Sequence, residues 1–125
     1  KEITLADGKR ITPDDVLGAW ERGSKLVVVG DAGRTDNLLE VCQDADGLVI
    51  ESTYLDEEAD MAKQFSHLTA RMSAELALKA GVKKLILTHI SRRYREKDVI
   101  AEAQSVFSKT VVARDFDNYQ IRKEI

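Results

Sequence analysis

The sequence has 125 residues, 43% of them hydrophobic and 33% charged, with a net charge of −3 and a pI near 5.4. These values exclude a disordered chain and sequence-blind attraction to nucleic acid through bulk charge. No apolar run approaches the roughly 18 residues of a membrane span. No charged-then-apolar leader is read, and one cysteine, Cys42, excludes an internal disulfide framework, so the expected setting is cytoplasmic.

In chain order, residues 1–22 hold a hairpin around Asp7-Gly8, a helix start at Thr12-Pro13-Asp14-Asp15 and the single tryptophan, Trp20. Residues 25–30 carry Leu-Val-Val-Val, an apolar run of the kind buried on both faces of a parallel sheet. Residues 35–44 read as a short helix with Leu38, Leu39 and Cys42 on one side, the thiol buried rather than reactive. A second strand spans 47–53 and ends in Glu51, Ser52 and Thr53. Residues 57–80 are helical for most of their length, with Phe65, Met72, Leu76 and Ala80 at helical spacing and Gly81 as the stop. A kink is expected near 66–69, where Thr69 or a neighbour caps the restarted helix. A third strand at 84–88 runs into His89, and an amphipathic helix at 97–107 turns Val99, Ile100, Ala103, Val106 and Phe107 to one face. A fourth strand at 110–114 and a fifth at 119–122 complete the pattern.

Strands alternating with helices define an α/β fold, a single domain or half-domain over residues 1–125, with a layered sheet. If the chain is half of a split fold, one face of its core lies bare. Ligands of such folds collect where the strands end. That rule selects Asp31 after the first long strand, Glu51 at the end of the second and His89 after the third. Aspartate and histidine together suit zinc or manganese, and an aspartate has two oxygens with which to bridge two ions. With only two histidines, His67 and His89, the chain cannot build a histidine-rich two-metal site from its own residues. Each residue also has an ordinary alternative. Asp31 serves equally as a turn aspartate, Glu51 as a cap or salt-bridge partner, His67 as a satisfied histidine on an inner helix face, and His89 as a donor to a loop carbonyl. The Arg92-Arg93-Tyr94-Arg95 cluster reads by itself as a solvated loop.

Order and motif content carry the argument further. Val29-Gly30-Asp31-Ala32-Gly33-Arg34 resembles the Gly-Asp-Thr-Arg strand end of ribonuclease Z, and Ile50-Glu51-Ser52-Thr53-Tyr54 its His-Glu-Ala-Thr-Phe segment. Ser66-His67-Leu68-Thr69 is similar to its His-Ser-Thr segment, and Leu85-Ile86-Leu87-Thr88-His89-Ile90-Ser91-Arg92-Arg93-Tyr94 is similar to its Leu-Ile-Leu-Thr-His-x-Ser-x-Arg-Tyr. Thr12-Pro13-Asp14-Asp15-Val16-Leu17-Gly18 and Val112-Ala113-Arg114-Asp115 extend the match over almost the whole chain. The resemblance implies the C-terminal half of a metallo-β-lactamase-type αββα sandwich, belonging to a zinc-dependent endoribonuclease that removes the 3′ trailer of precursor tRNA. It implies Asp31 as the carboxylate bridging two Zn2+ ions and His89 as a terminal ligand. It further implies His67, oriented by Glu51, as the proton-transfer group, and Ser91 and Arg93 as phosphate contacts beside the metals.

The sequence departs from the family pattern at Ala32, at the added Gly33, at Ile50 and at Leu68. The His-x-His-x-Asp-His run that supplies most zinc ligands lies outside these residues. The resemblance therefore implies weak zinc binding and no activity for this chain alone, an N-terminal half as partner, and a homodimer when complete. The competing expectations are a non-catalytic α/β module for partner binding or dimerisation, and a flavodoxin-like domain with a pocket near Asp31 and no role for His89.

Overall fold

A computed structural model describes residues 1–123. It begins with a small arm: β1 (Ile3–Thr4) and β2 (Arg10–Ile11) pair antiparallel about Gly8, whose φ of 85° suits glycine. The one-turn α1 (Pro13–Val16) follows, with Pro13 in its first turn and the Asp15 carboxylate accepting the Thr12 N–H at 2.8 Å. None of the α1 side chains is buried, and Trp20 is 88% exposed.

The body is a parallel sheet of β3 (Leu26–Val28), β4 (Gly47–Glu51), β5 (Leu85–Thr88) and β6 (Thr110–Val112), side by side in chain order. Between them lie α2 (Leu39–Cys42), α3 (Ala59–Gln64), α4 (Ala70–Ala80) and α5 (Glu96–Gln104). Right-handed crossovers between successive neighbours always place the connecting helix on the same face. Accordingly α2, α4 and α5 pack beside one another over one side of the sheet. Leu48, Ile50, Leu85, Leu87 and Val112 point into that side, with Leu76, Ala77, Val99 and Ala103 from the helices, to form one core. Each fully buried Leu or Ile contributes ~1.5–3 kcal/mol of transfer free energy.

This ordering corrects the reading of residues 25–30 as a strand buried on both faces. β3 is an edge strand, and its register puts Leu26 and Val28 on the face shared with Val49 and Ile86. No helix among the described residues covers that face, and Leu26 is 51% and Val28 68% exposed. The tail around Tyr119 and Ile121 crosses part of it, and Ile121 lies where a Cβ on Gly47 would stand. Among the described residues 119–122 form no strand; they serve as this partial cover.

The long helix expected over 57–80 is divided. A 3-10 turn (Asp56–Glu58) leads into α3, and residues 65–69 break the helix before α4 restarts. Thr69 caps the restart, its Oγ1 accepting the Met72 N–H at 3.1 Å. Gly81 ends α4 at φ 72°, as its sequence position implies. The break carries Phe65 out of the helical stripe, and it is 54% exposed. Cys42 is fully buried, and burial pushes its thiol up.

At the opposite end of the sheet, Asp46 is buried beneath Arg22, which binds it through two guanidinium nitrogens at 2.8 and 2.9 Å, while the Lys25 N–H donates to it at 2.7 Å. The Arg22 hydrogen bonds first, then the Lys25 amide, hold its carboxyl at about 2, against an ordinary 3.8. A depressed folded-state value stabilises the fold above the ordinary value, and that contribution disappears as pH falls towards about 2. Asp46→Asn is therefore expected to flatten the acid limb of a stability–pH curve over that window; an unchanged limb would exclude this pair as its source. Ser52 Oγ is buried without a hydrogen-bond partner among the described residues. Ser52→Ala is expected to raise stability by ~1 kcal/mol, because a buried hydroxyl without a partner is destabilising; a lowered midpoint in thermal unfolding would show the hydroxyl to be satisfied.

Candidate active site

The carboxyl ends of β3, β4 and β5 open onto one corner of the molecule. Val29 continues the β3–β4 ladder, its N–H reaching the Val49 carbonyl at 2.8 Å, and the chain then turns away through Gly30 and Asp31. β4 ends on Glu51, and the Ser52 N–H still reaches the Thr88 carbonyl of β5 at 2.9 Å. Immediately after β5, His89 takes φ 56°, a left-handed conformation uncommon outside glycine and one often found at functional positions. His67 comes from the break between α3 and α4. Its N–H is bound to the Ala62 carbonyl at 2.8 Å, and Ser66 before it takes φ 58°. Gly33 fits here for a steric reason: a Cβ on it would stand 3.1 Å from Ser66 Cβ and 3.2 Å from Ser66 Cα. The residue that departs from the family motif thus lets the Asp31 loop pass against the His67 turn.

These turns bring Asp31, His67 and His89 together, with one ligand atom from each within 4.8 Å of the others. His89 Nδ1 lies 2.9 Å from Asp31 Oδ1, and the His67 and His89 rings meet edge to face with centroids 5.4 Å apart. One oxygen and two imidazole nitrogens are a donor set that zinc accepts. Two ligands about 2.1 Å from one ion stand at most about 4.2 Å apart, so the Asp31–His89 spacing fits a shared ion. His67 is committed elsewhere: its Nδ1 faces both Glu51 oxygens, at 3.1 and 3.0 Å.

Glu51 is 1% exposed and collects three donors. The Ala32 N–H reaches Oε1 at 2.7 Å, the Thr53 hydroxyl reaches Oε2 at 2.5 Å, and His67 Nδ1 lies against both. An ionised carboxylate is acceptor-only, so His67 carries its proton on Nδ1 and turns Nε2 away from Glu51. The Glu51 and His67 segments are also laced together. The Tyr54 N–H reaches the Leu68 carbonyl at 3.2 Å and the Ala70 N–H reaches the Tyr54 carbonyl at 2.9 Å. From α5, the Glu102 carboxylate accepts the Asp56 N–H at 2.9 and 3.1 Å and the Arg71 N–H at 3.0 Å.

Of the remaining sequence-derived positions, Ser91 Oγ accepts the Arg93 N–H at 3.2 Å, which shapes the turn after His89. The Arg93 guanidinium is ion-paired with Glu58, and the Tyr94 hydroxyl donates to the other oxygen of the same carboxylate. Burial, and then this hydrogen bond, push the Tyr94 hydroxyl up to about 12. Arg93 thus stands anchored to the 3-10 turn that follows Tyr54. Sequence reading missed Glu58, Glu102 and Thr53. Nothing in the spacing signals the first two, whereas Thr53, two residues beyond Glu51 on the same strand end, was open to recognition.

The layered α/β fold with its parallel sheet matches part of solved structures of the metallo-β-lactamase fold. The metallo-β-lactamase fold protein YhfI of Bacillus subtilis superposes at a TM-score of 0.66, with 24% identity, over 71% of this chain and 36% of that one. Human tRNase Z, short form, superposes at 0.63 with 30% identity, over 80% of this chain and 34% of its own. Ribonuclease Z of Bradyrhizobium sp. (strain ORS 278) is 45% identical over 119 residues, 95% of this chain and 40% of that protein. Ribonuclease Z of Archaeoglobus fulgidus is 42% identical over 122 residues, 96% of this chain and 40% of that protein. No family model matches the chain. The chain is homologous to ribonuclease Z and spans about two fifths of the length of the curated relatives it matches. No helix among the described residues is long and apolar enough to cross a membrane.

Glu51→Ala strips three donors of one buried acceptor. It is expected to lower stability by ~2–4 kcal/mol in urea unfolding; an unchanged midpoint would contradict the role given to this carboxylate.

Proposed function

We propose that these residues are the C-terminal half of a zinc-dependent endoribonuclease that removes the 3′ trailer of precursor tRNA by phosphodiester hydrolysis. The convergence of Asp31, His67 and His89 within 4.8 Å, at strand ends distant in sequence, carries the reading. Asp31 and His89 would hold the metal, Asp31 as the bridging carboxylate. Bound zinc supplies a water of lowered pKa and positive charge for the phosphoryl oxygens. His67 contributes Nε2 to proton transfer at the leaving oxygen, with Nδ1 fixed by Glu51. Ser91 sets the turn that presents Arg93, whose planar guanidinium suits a phosphate once it exchanges Glu58 for substrate.

The complete protein would act in the cytoplasm as a homodimer, its other ligands coming from the N-terminal half. The open β3 edge of that face, where Leu26 and Val28 are exposed, supports that division. The same face also supports a second reading, a non-catalytic module that docks a partner there.

Elemental analysis separates the two. In the longest natural chain containing these residues, Asp31→Ala and His89→Ala are each expected to lose zinc and to lower trailer cleavage by more than about 100-fold, beyond the loss typical of groups that only support ligands. Zinc content unchanged in both variants would favour the docking module. The 125-residue chain alone is expected to bind zinc weakly and to cleave no precursor tRNA. Adding a separately produced N-terminal half should restore cleavage.

A further inference from the structure

Thr53 sits where the acid–base pair and the metal-ligand pair meet. Its Oγ1 is 2.5 Å from Glu51 Oε2, 3.4 Å from His67 Nδ1 and 3.5 Å from His89 Nδ1. A hydroxyl has one proton and two lone pairs. The carboxylate can only accept, so the hydroxyl proton goes to Glu51. The lone pairs are then left facing the two imidazoles. Nδ1 of His67 consequently meets only acceptors: two Glu51 oxygens and one Thr53 oxygen.

The geometry points to Thr53 as a positioning residue. Its hydroxyl holds the Glu51 carboxylate against His67 and through it fixes the Nδ1–H form of that ring. Thr53 does not act on substrate; it acts through His67. A threonine retained only for its fit at a strand end would behave differently, because valine has nearly the same shape and no hydroxyl.

The kinetic part of the test rests on the ribonuclease reading, and the spectroscopic part does not. In the longest natural chain containing these residues, Thr53→Val and Thr53→Ser are compared with the unmodified protein. Precursor tRNA cleavage is measured alongside the nitrogen chemical shifts of histidine-labelled protein, which report the protonated ring nitrogen of His67. Thr53→Val is expected to lower kcat by about 10–100-fold with KM within about twofold, the loss typical of a group that orients a working residue. The His67 ring should become a mixture of Nδ1–H and Nε2–H forms. Thr53→Ser should restore both readouts. An unaltered kcat in Thr53→Val overturns the proposal, as does a fall in kcat with the His67 nitrogen pattern unchanged, or a serine variant as impaired as the valine one. If the unmodified protein fails to cleave precursor tRNA, the ribonuclease reading falls and the nitrogen shifts alone decide. A mixed His67 ring in Thr53→Val then supports the positioning role, and an unchanged ring overturns it.

Discussion

A carboxylate removed from water is stable only when protein donors replace the hydration it loses, and the residual penalty for a bare one is several kcal/mol. Glu51 meets this condition with donors from three separate segments: an amide from the loop after β3, a hydroxyl from its own strand end and an imidazole from the break between α3 and α4. Each segment is therefore held where it must be for Glu51 to remain buried. The Asp31 loop approaches because Ala32 supplies its amide, and Gly33 allows that approach to continue past Ser66. The burial of one charge and the assembly of the site are the same event.

The sheet order explains the rest of the architecture. Four parallel strands added in sequence, with α2, α4 and α5 packed side by side, leave the helices on one side and a face of Leu26, Val28, Val49 and Ile86 on the other. The tail through Tyr119 and Ile121 covers part of that face and leaves the β3 edge open. The chain spans about two fifths of the length of the curated relatives it matches, and its helices pack over one side of its sheet.

Much of this was legible in the sequence. The apolar runs located all four strands of the sheet, Gly81 and Thr69 marked the ends of α4, and the strand-end rule selected Asp31, Glu51 and His89. Three features were not, for physical reasons. An apolar run reports hydrophobicity but not which face finds a partner, so residues 25–30 read as doubly buried when only the helix side is covered. A stripe at helical spacing continues across a break unless the break is known, so Phe65 was grouped with residues from which it is separated. Long-range polar contacts leave no periodicity: Glu58 and Glu102 lie 35 and 46 residues from partners they bind, and charged helix residues commonly read as solvated. Thr53 is the intermediate case, visible at a strand end but ordinary until the folded chain places it beside two histidines.

The clamp made by Glu102 has a genetic consequence. It lies on α5, which contributes no side chain to the Asp31–His67–His89 group, yet its carboxylate gathers amides from the turn after Tyr54 and from the first turn of α4, which flank the Glu51 and His67 segments. Reversing its charge leaves every site side chain intact and loosens the two segments from each other. A selection for loss of function should therefore recover α5 alleles that share the phenotype of alleles at the site, and second-site suppressors of them should map to the turns at 54–56 and 67–71 rather than to Asp31 and His89.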